Sequence, residues 1–380
     1  MTNLPFKLPA KENSFRMNKK VIWTVIILII LGVIWFVVDK QEPVTSGEPI
    51  KIGAILFLTG NQASLGEEVR NALTLAEQMS GAETSGKIEL LIEDSQDDPK
   101  VALSAYQKLK GEGVSAIIST GDQVSYALSS VAERDRLPLI MTVASATESA
   151  GDYVFRAFIT TEQQATLMGN FALNELKHKN VGILSINNIF GESYFGVLKK
   201  VVEAGGGKIV INEGFGIGDS DLKTQITKVI AAKPDAIFVS GFGPAYPVAF
   251  KQLRQFGWRG DILTVNTLAI PFFFDAIAPS DLHDTYFSDT GFNVKMPTNQ
   301  KMTEFITEYQ KQFNADPSFV GAYAFDLYNL LNSALEKCGA EANDIRACLL
   351  EVKNESGVLG SLDFSSHDLK VPLFIRKAIE

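Results

Sequence analysis

From Ile50 onward the chain alternates short apolar runs with amphipathic stretches. "IKIGAILFL" leads into a helical pattern from Leu65 to Ser80, with Val69, Ala72, Leu73 and Ala76 on one face. The strand "IELLIED", a helix from Pro99 to Lys110, the strand "VSAIIST", a helix from Gln123 to Asp135 and the strand "LPLIMTV" follow. The pattern then restarts. Helices at Glu162–Lys177, Glu192–Ala204, Asp221–Ala232 and Ala245–Phe256 lead to "NVGILSI", "KIVINEGF", "DAIFVSGF" and "DILTV". Near-continuous apolar strands separated by helices predict parallel sheets covered on both faces. The expected fold is therefore α/β, with two doubly wound lobes. Beyond them come helices at about 298–314, 319–337 and 342–353, then short strands near "GSLDF" and "VPLFIRKAI".

Before Ile50 the pattern is different. Val21 to Val38, "VIWTVIILIILGVIWFVV", is uncharged and apolar throughout, just long enough to cross a bilayer core. Arg16, Lys19 and Lys20 precede it, while Asp39, Glu42 and Glu48 follow. The positive-inside rule then leaves residues 1–20 in the cytoplasm and sends the rest across the membrane. No small-residue cleavage site follows Val38, so an uncleaved signal anchor is expected at 21–38, with a linker at 39–49.

Composition narrows the function. The 380 residues are enough for two domains, and 46% hydrophobic with 21% charged residues is globular. A formal net charge of -9 argues against nucleic acid as a partner. Cys338 and Cys348 are the only cysteines. They are read as a disulfide closing a short loop between two helices in an oxidising compartment, the alternative being two thiols.

In open parallel sheets, ligands bind beyond the carboxyl ends of the strands. The loops there are "LTGNQASLG", "STGDQVS", "TVASATES", "INNIFGES", "SGFGPAYP" and "TVNTLA", a lining suited to a small, mostly polar ligand. The first loop lacks the G-K-[ST] of a phosphate cradle, and Glu67 and Glu68, read as first-turn residues of the next helix, would repel an anion. No histidine occurs in any of the six loops, and no G-x-S-x-G or H-E-x-x-H occurs in the chain. No catalytic residue, metal site or cofactor is expected. In "EDSQDDP", Asp97 or Asp98 is read as a helix cap, with Pro99 in the first turn. For Ser64 and Ser125, helix capping and ligand contact stand as alternatives.

The order of several stretches resembles a family. "IKIGAILFLTGNQASLGEEVRNALTLA", "IEDSQDDPKVALSAYQKL", "VAERDRLPLIMTVASATES", "FGESYFGVLKKVVEAGG" and "KPDAIFVSGFGPAYPVAFKQLRQFGW" are similar to periplasmic type I solute-binding proteins of ABC importers, in particular the leucine/isoleucine/valine-binding and amide-binding group. The resemblance covers about residues 50–380. It implies two lobes joined by three crossovers, with ligand closing the cleft between them. Crossovers would fall near Arg156–Ile159, Asp289–Asn293 and Lys353–Gly360. Lobe one would be 50–157 plus 290–355, and lobe two 158–289 plus 356–380.

The same resemblance implies a site. A carboxylate-binding serine would fall among Asp122, Gln123 and Ser125. Ser145 and Thr147 would supply a carbonyl, a hydroxyl and an amide. Phe190 and Phe242 would cover the ligand, Leu65 would stand where an aromatic is common, and Ser64 is the best contact in the first loop. Asn266 matches an acidic residue that pairs a ligand ammonium. It cannot form that ion pair. Asp122 would repel a carboxylate if it faces the cleft. These departures shift the expectation toward a neutral or cationic small ligand, such as an amide, or an amino acid held differently. The implied function is capture of a small polar solute (amino acid, amide or similar) for an ABC permease. The alternative is a ligand-sensing ectodomain that signals to a partner.

Overall fold

The computed structural model describes residues 49–80, 88–146, 151–364 and 366–379. The expected membrane anchor at 21–38, its flanks and Thr147 lie outside them. Among the described residues, no helix is long and apolar enough to cross a membrane.

The first sheet holds β1 (Ile50–Leu56), β2 (Ile88–Asp94), β3 (Ala116–Thr120), β4 (Leu139–Thr142) and β5 (Val154–Arg156), in the order β2-β1-β3-β4-β5. Every pairing is parallel. Helices α1 (Ala63–Ser80), α2 (Pro99–Gly111) and α3 (Asp122–Asp135) fill the connections. Side chains alternate across a strand, so β1 serves two cores at once. Ile52, Ala54 and Leu56 pack with Val69, Leu73 and Ala76 of α1. Ile55 turns the other way, into a cluster with Tyr106 and Leu109 of α2 and Leu128 of α3. This is why the strands read as unbroken apolar runs.

The second sheet repeats the scheme with β6 (Asn180–Ile186), β7 (Lys208–Phe215), β8 (Ala236–Ser240), β9 (Asp261–Thr264) and β10 (Thr285–Asp289). Its helices are α4 (Thr161–Asn174), α5 (Ile189–Ala204), α6 (Lys223–Ala231) and α7 (Ala245–Gln255), with the short α8 (Pro271–Asp275) after β9. Thr160 starts α4 with a capping box: its hydroxyl accepts from Gln163 N, and the Gln163 side chain accepts from Thr160 N.

The chain then returns to the first sheet. Helices α9 (Gln300–Phe313), α10 (Phe319–Cys338) and α11 (Ala342–Leu350) follow. The α9 and α10 helices pack on α1. Glu68 explains how α10 is seated. Its Oε1 accepts from Ser318 N at 2.6 Å, Ser318 Oγ at 2.8 Å and Gly321 N at 2.8 Å, which satisfies the amino end of α10 from α1. Because α1 begins at Ala63, its first turn carries no acid. Glu67 and Glu68 therefore lie further along the helix than the sequence suggests; Glu67 pairs with Arg70 on the surface.

A short hairpin, β11 (Glu355–Gly357) and β12 (Gly360–Leu362), comes next. Asp326 of α10 holds its turn, accepting from Val358 N at 2.8 Å and Leu359 N at 3.0 Å. The following segment extends the first sheet: Arg156 N donates to His367 O, and Leu369 N donates to Arg156 O. Phe364 and His367 lie against Phe155 of β5. Residues 355–369 thus stay with the first sheet. The expected boundary, which gave 356–380 to lobe two and set the crossover at 353–360, falls too early. The physical reason is that Phe364 and Leu369 are buried against β5 and its surroundings. Only β13 (Phe374–Lys377) reaches the second sheet, as an antiparallel edge beside β10. Its order is β13-β10-β9-β8-β6-β7. A disulfide joins Cys338, at the end of α10, to Cys348 in α11.

Candidate functional site

A cleft of about 370 Å³ opens where the carboxyl ends of both sheets face each other. The first sheet supplies Gly60–Gln62 and Leu65 after β1, Gln96 and Asp97 after β2, Gly121–Gln123 after β3, and Val143 and Ser145 after β4. The second sheet supplies Ile186–Phe190 after β6, Ile217 after β7, Phe242 after β8, and Asn266, Thr267 and Ile270 after β9. Phe158, between the sheets, and Phe319 and Val320 at the start of α10 complete the lining. Strand ends from both halves converge on one space, as parallel-sheet topology dictates.

Two glycines bring these helices close. A Cβ on Gly66 would stand 2.1 Å from Phe57 O, and one on Gly191 would stand 1.9 Å from Ile186 O. In each half, the helix that follows the first strand can therefore sit against the end of that strand only with glycine there. Other lining residues hold unusual backbone. Gln96, Asp97 and Val143 have φ of 54°, 55° and 50°, in the left-handed region. For the β-branched Val143 this is strained, and such strain concentrates at ligand sites.

The expected site residues divide. Leu65, Asp122, Gln123, Ser145, Phe190, Phe242 and Asn266 all line the cleft. Ser64 does not: it lies at the rim, in a side pocket of about 70 Å³ with Pro244 and Phe272. Ser125 does not either. It is fully buried, and its Oγ is 2.9 Å from Ser119 Oγ on β3. One helical turn beyond Asp122, its side chain points at the sheet rather than at the ligand space. Phe190 meets Phe242 edge-on with centroids 5.4 Å apart, and Phe190 rests on Tyr194 at 4.9 Å. The two rings form one apolar wall.

The opposite wall is acidic. Asp122 Oδ1 accepts from Ala146 N at 2.7 Å. Ser145 O already accepts from Thr161 N and from Arg156 Nη1, so both lone pairs of that carbonyl belong to the scaffold. Arg156 in turn pairs with Asp368 at 2.8 Å. In "EDSQDDP" the two acids separate in role. Asp98 caps α2, accepting from Lys100 N and Val101 N, while Asp97 lines the cleft and accepts from Gln62 Nε2 at 2.8 Å. Burial raises the pKa of Asp97, and the Gln62 bond partly offsets this.

Asn266 is 4% exposed, and its N–H donates to Gln164 Oε1 at 3.1 Å. Gln164 Oε1 also accepts from Ser288 Oγ at 2.7 Å, which locks the β9 and β10 ends to α4. The Asn266 side-chain Nδ2 is buried without a partner. Sequence reasoning missed Gln62, Asp97, Asn187, Thr267, Phe158 and Phe319. One signal was available for Asp97: two adjacent acids stood before a helix with one capping position. Among the described residues no cluster of His, Cys, Asp and Glu could hold a metal.

A two-sheet α/β frame with a polar and aromatic cleft at the strand ends defines a small-molecule binding protein. The periplasmic binding protein family model matches residues 49–375, and the chain belongs to that family. The family is one of solute-binding proteins, not of enzymes. The chain is 25% identical over 312 residues to the Leu/Ile/Val-binding protein BraC3 of Rhizobium johnstonii, covering 80% of this chain and 83% of that one. The branched-chain amino acid transporter substrate-binding protein LivJ of Streptococcus pneumoniae, solved with isoleucine, superposes with a TM-score of 0.77 at 23% identity, covering 86% of this chain and 95% of that one. A solute-binding protein of an ABC transporter from Rhodopseudomonas palustris, solved with 3,4-dihydroxybenzoic acid, gives 0.77 at 22%, covering 87% and 93%. The fold is the α/β type I binding-protein fold with parallel sheets.

Proposed function

We propose that this protein is an extracytoplasmic solute receptor, tethered by residues 21–38, that captures an amino acid, an amide or a similar small polar compound for an ABC importer. One observation carries the reading: a single cleft takes its lining from the strand ends of both sheets. A ligand that touches both walls favours whichever arrangement brings them together, so binding shifts the population toward a closed form. That closed form is what a permease would engage. Phe190, Phe242 and Leu65 would cover the apolar part of the ligand. Gln123, Ser145, Asn266 and Thr147 would offer polar contacts. The relatives' names favour leucine, isoleucine or valine as first compounds to test, but the two superposed structures hold chemically different ligands at similar identity. The tether would replace diffusion with a high local concentration at the permease.

The test is native mass spectrometry of the purified chain for a co-purifying compound, followed by small-angle scattering with and without it. A bound solute of low mass and a smaller radius of gyration are expected. An empty cleft that no amino acid, amide or amine fills, with unchanged scattering, contradicts the reading.

A further inference from the structure

We propose that the ligand of this cleft is an organic cation: an amine that carries a hydrogen-bond acceptor and no carboxylate. This rests on the solute-binding reading above. Asp97 and Asp122 line the cleft, and no lysine, arginine or histidine does so among the described residues. The two acids come from abutting loops, since a Cβ on Gly121 would stand 3.2 Å from Asp97 Oδ1.

A ligand carboxylate at the first-sheet wall would need free N–H groups, and the amino end of α3 is the natural source. Asp122 sits in that first turn and takes the Ala146 N–H as well. An acidic ligand at that helix end would therefore meet a like charge. The facing wall of Phe190 and Phe242 suits a cation equally, because ring faces attract positive charge.

Asn266 Nδ2 lies buried in the lining with no partner. A buried donor left unpaired is costly, so a ligand oxygen that accepts from it is expected. An amine with a carbonyl or hydroxyl oxygen satisfies both walls at once.

The test holds one skeleton constant and varies charge. Calorimetry on the purified full-length chain compares leucinamide, leucine, N-acetylleucinamide, N-acetylleucine and isopentylamine. Leucinamide is expected to bind at least ten-fold more tightly than leucine, and N-acetylleucine not at all. Isopentylamine, which lacks the oxygen, is expected to bind about ten-fold more weakly than leucinamide, and Asn266→Leu should abolish that difference. Asp97→Asn and Asp122→Asn should each cost leucinamide roughly ten-fold, or about 1.4 kcal/mol, while the helix-cap variant Asp98→Asn keeps the wild-type preference. Tighter binding of leucine or N-acetylleucine than of leucinamide overturns the inference and leaves solute binding intact. Failure of every probe, charged or neutral, counts against both readings.

Discussion

At the scale of single residues, the cleft depends on atoms that are absent as much as on those present. The Cβ that alanine would add at Gly66 or Gly191 meets a backbone carbonyl at 2.1 or 1.9 Å. Neither carbonyl can yield without moving a strand end. Gly66→Ala and Gly191→Ala are each expected to lower stability by about 2 kcal/mol or more, read as a drop in denaturant midpoint. Replacing Phe190 by alanine strips one side of the apolar wall and should weaken ligand binding roughly ten-fold in calorimetry; because the ring is also buried against Tyr194 and Phe242, the melting temperature should fall as well. The sequence makes some of these residues legible and hides others. The stretches that carry Phe190, Phe242 and Asn266 follow strand ends and are marked by topology, while the resemblance to binding proteins singles out these three residues within them. Ser125 could not be excluded, because hydroxyls at helix starts look alike whether they face ligand or sheet. Asp97 was hidden for a related reason: which of two adjacent acids caps the helix depends on the left-handed turn at Gln96 and Asp97.

At the scale of elements, α10 is bound into the fold by two buried acids. Glu68 caps its amino end, and Asp326 within it caps the hairpin turn. Burial drives the Asp326 pKa up from 3.8 to about 6, against the two backbone hydrogen bonds it accepts. Burial raises Glu68 as well, partly offset by Ser318 and Gly321. For Asp326, the folded chain keeps a proton between about pH 4 and 6 that the unfolded chain has released. Its contribution to stability is therefore full below pH 4 and is lost as pH rises toward 6. Asp326→Asn should flatten the pH dependence of the unfolding free energy in that window by on the order of 2–3 kcal/mol. An unchanged slope would show that the carboxyl ionises freely. Opening the Cys338–Cys348 disulfide, which spans ten residues at the end of α10, should cost up to about 3 kcal/mol by loop entropy. Melting with and without reductant measures it. The helices themselves were legible from their apolar periodicity. That α10 lies against α1 was not, since no local pattern links Glu68 to Ser318.

At the scale of the molecule, alternation of apolar runs and helices was enough to predict two parallel-sheet halves. It was not enough to say where the last segment changes sides, because residues 355–369 lack a strong period and are held by tertiary contacts to β5. Binding should be a property of residues 49–380 alone, which form one compact unit. A chain lacking residues 1–45 is expected to bind ligand with unchanged affinity, whereas a large loss in calorimetry would give the N-terminal segment a role beyond tethering. The seat of α10 on α1 also governs the order in which the protein can be made. Glu68 meets Ser318 across 250 positions of sequence. During synthesis, the apolar side of α1 that α10 covers has no partner until the chain has grown past residue 338. Contacts this distant close slowly, and exposed apolar surface invites aggregation while they wait. The first half to be translated is thus among the last to be finished.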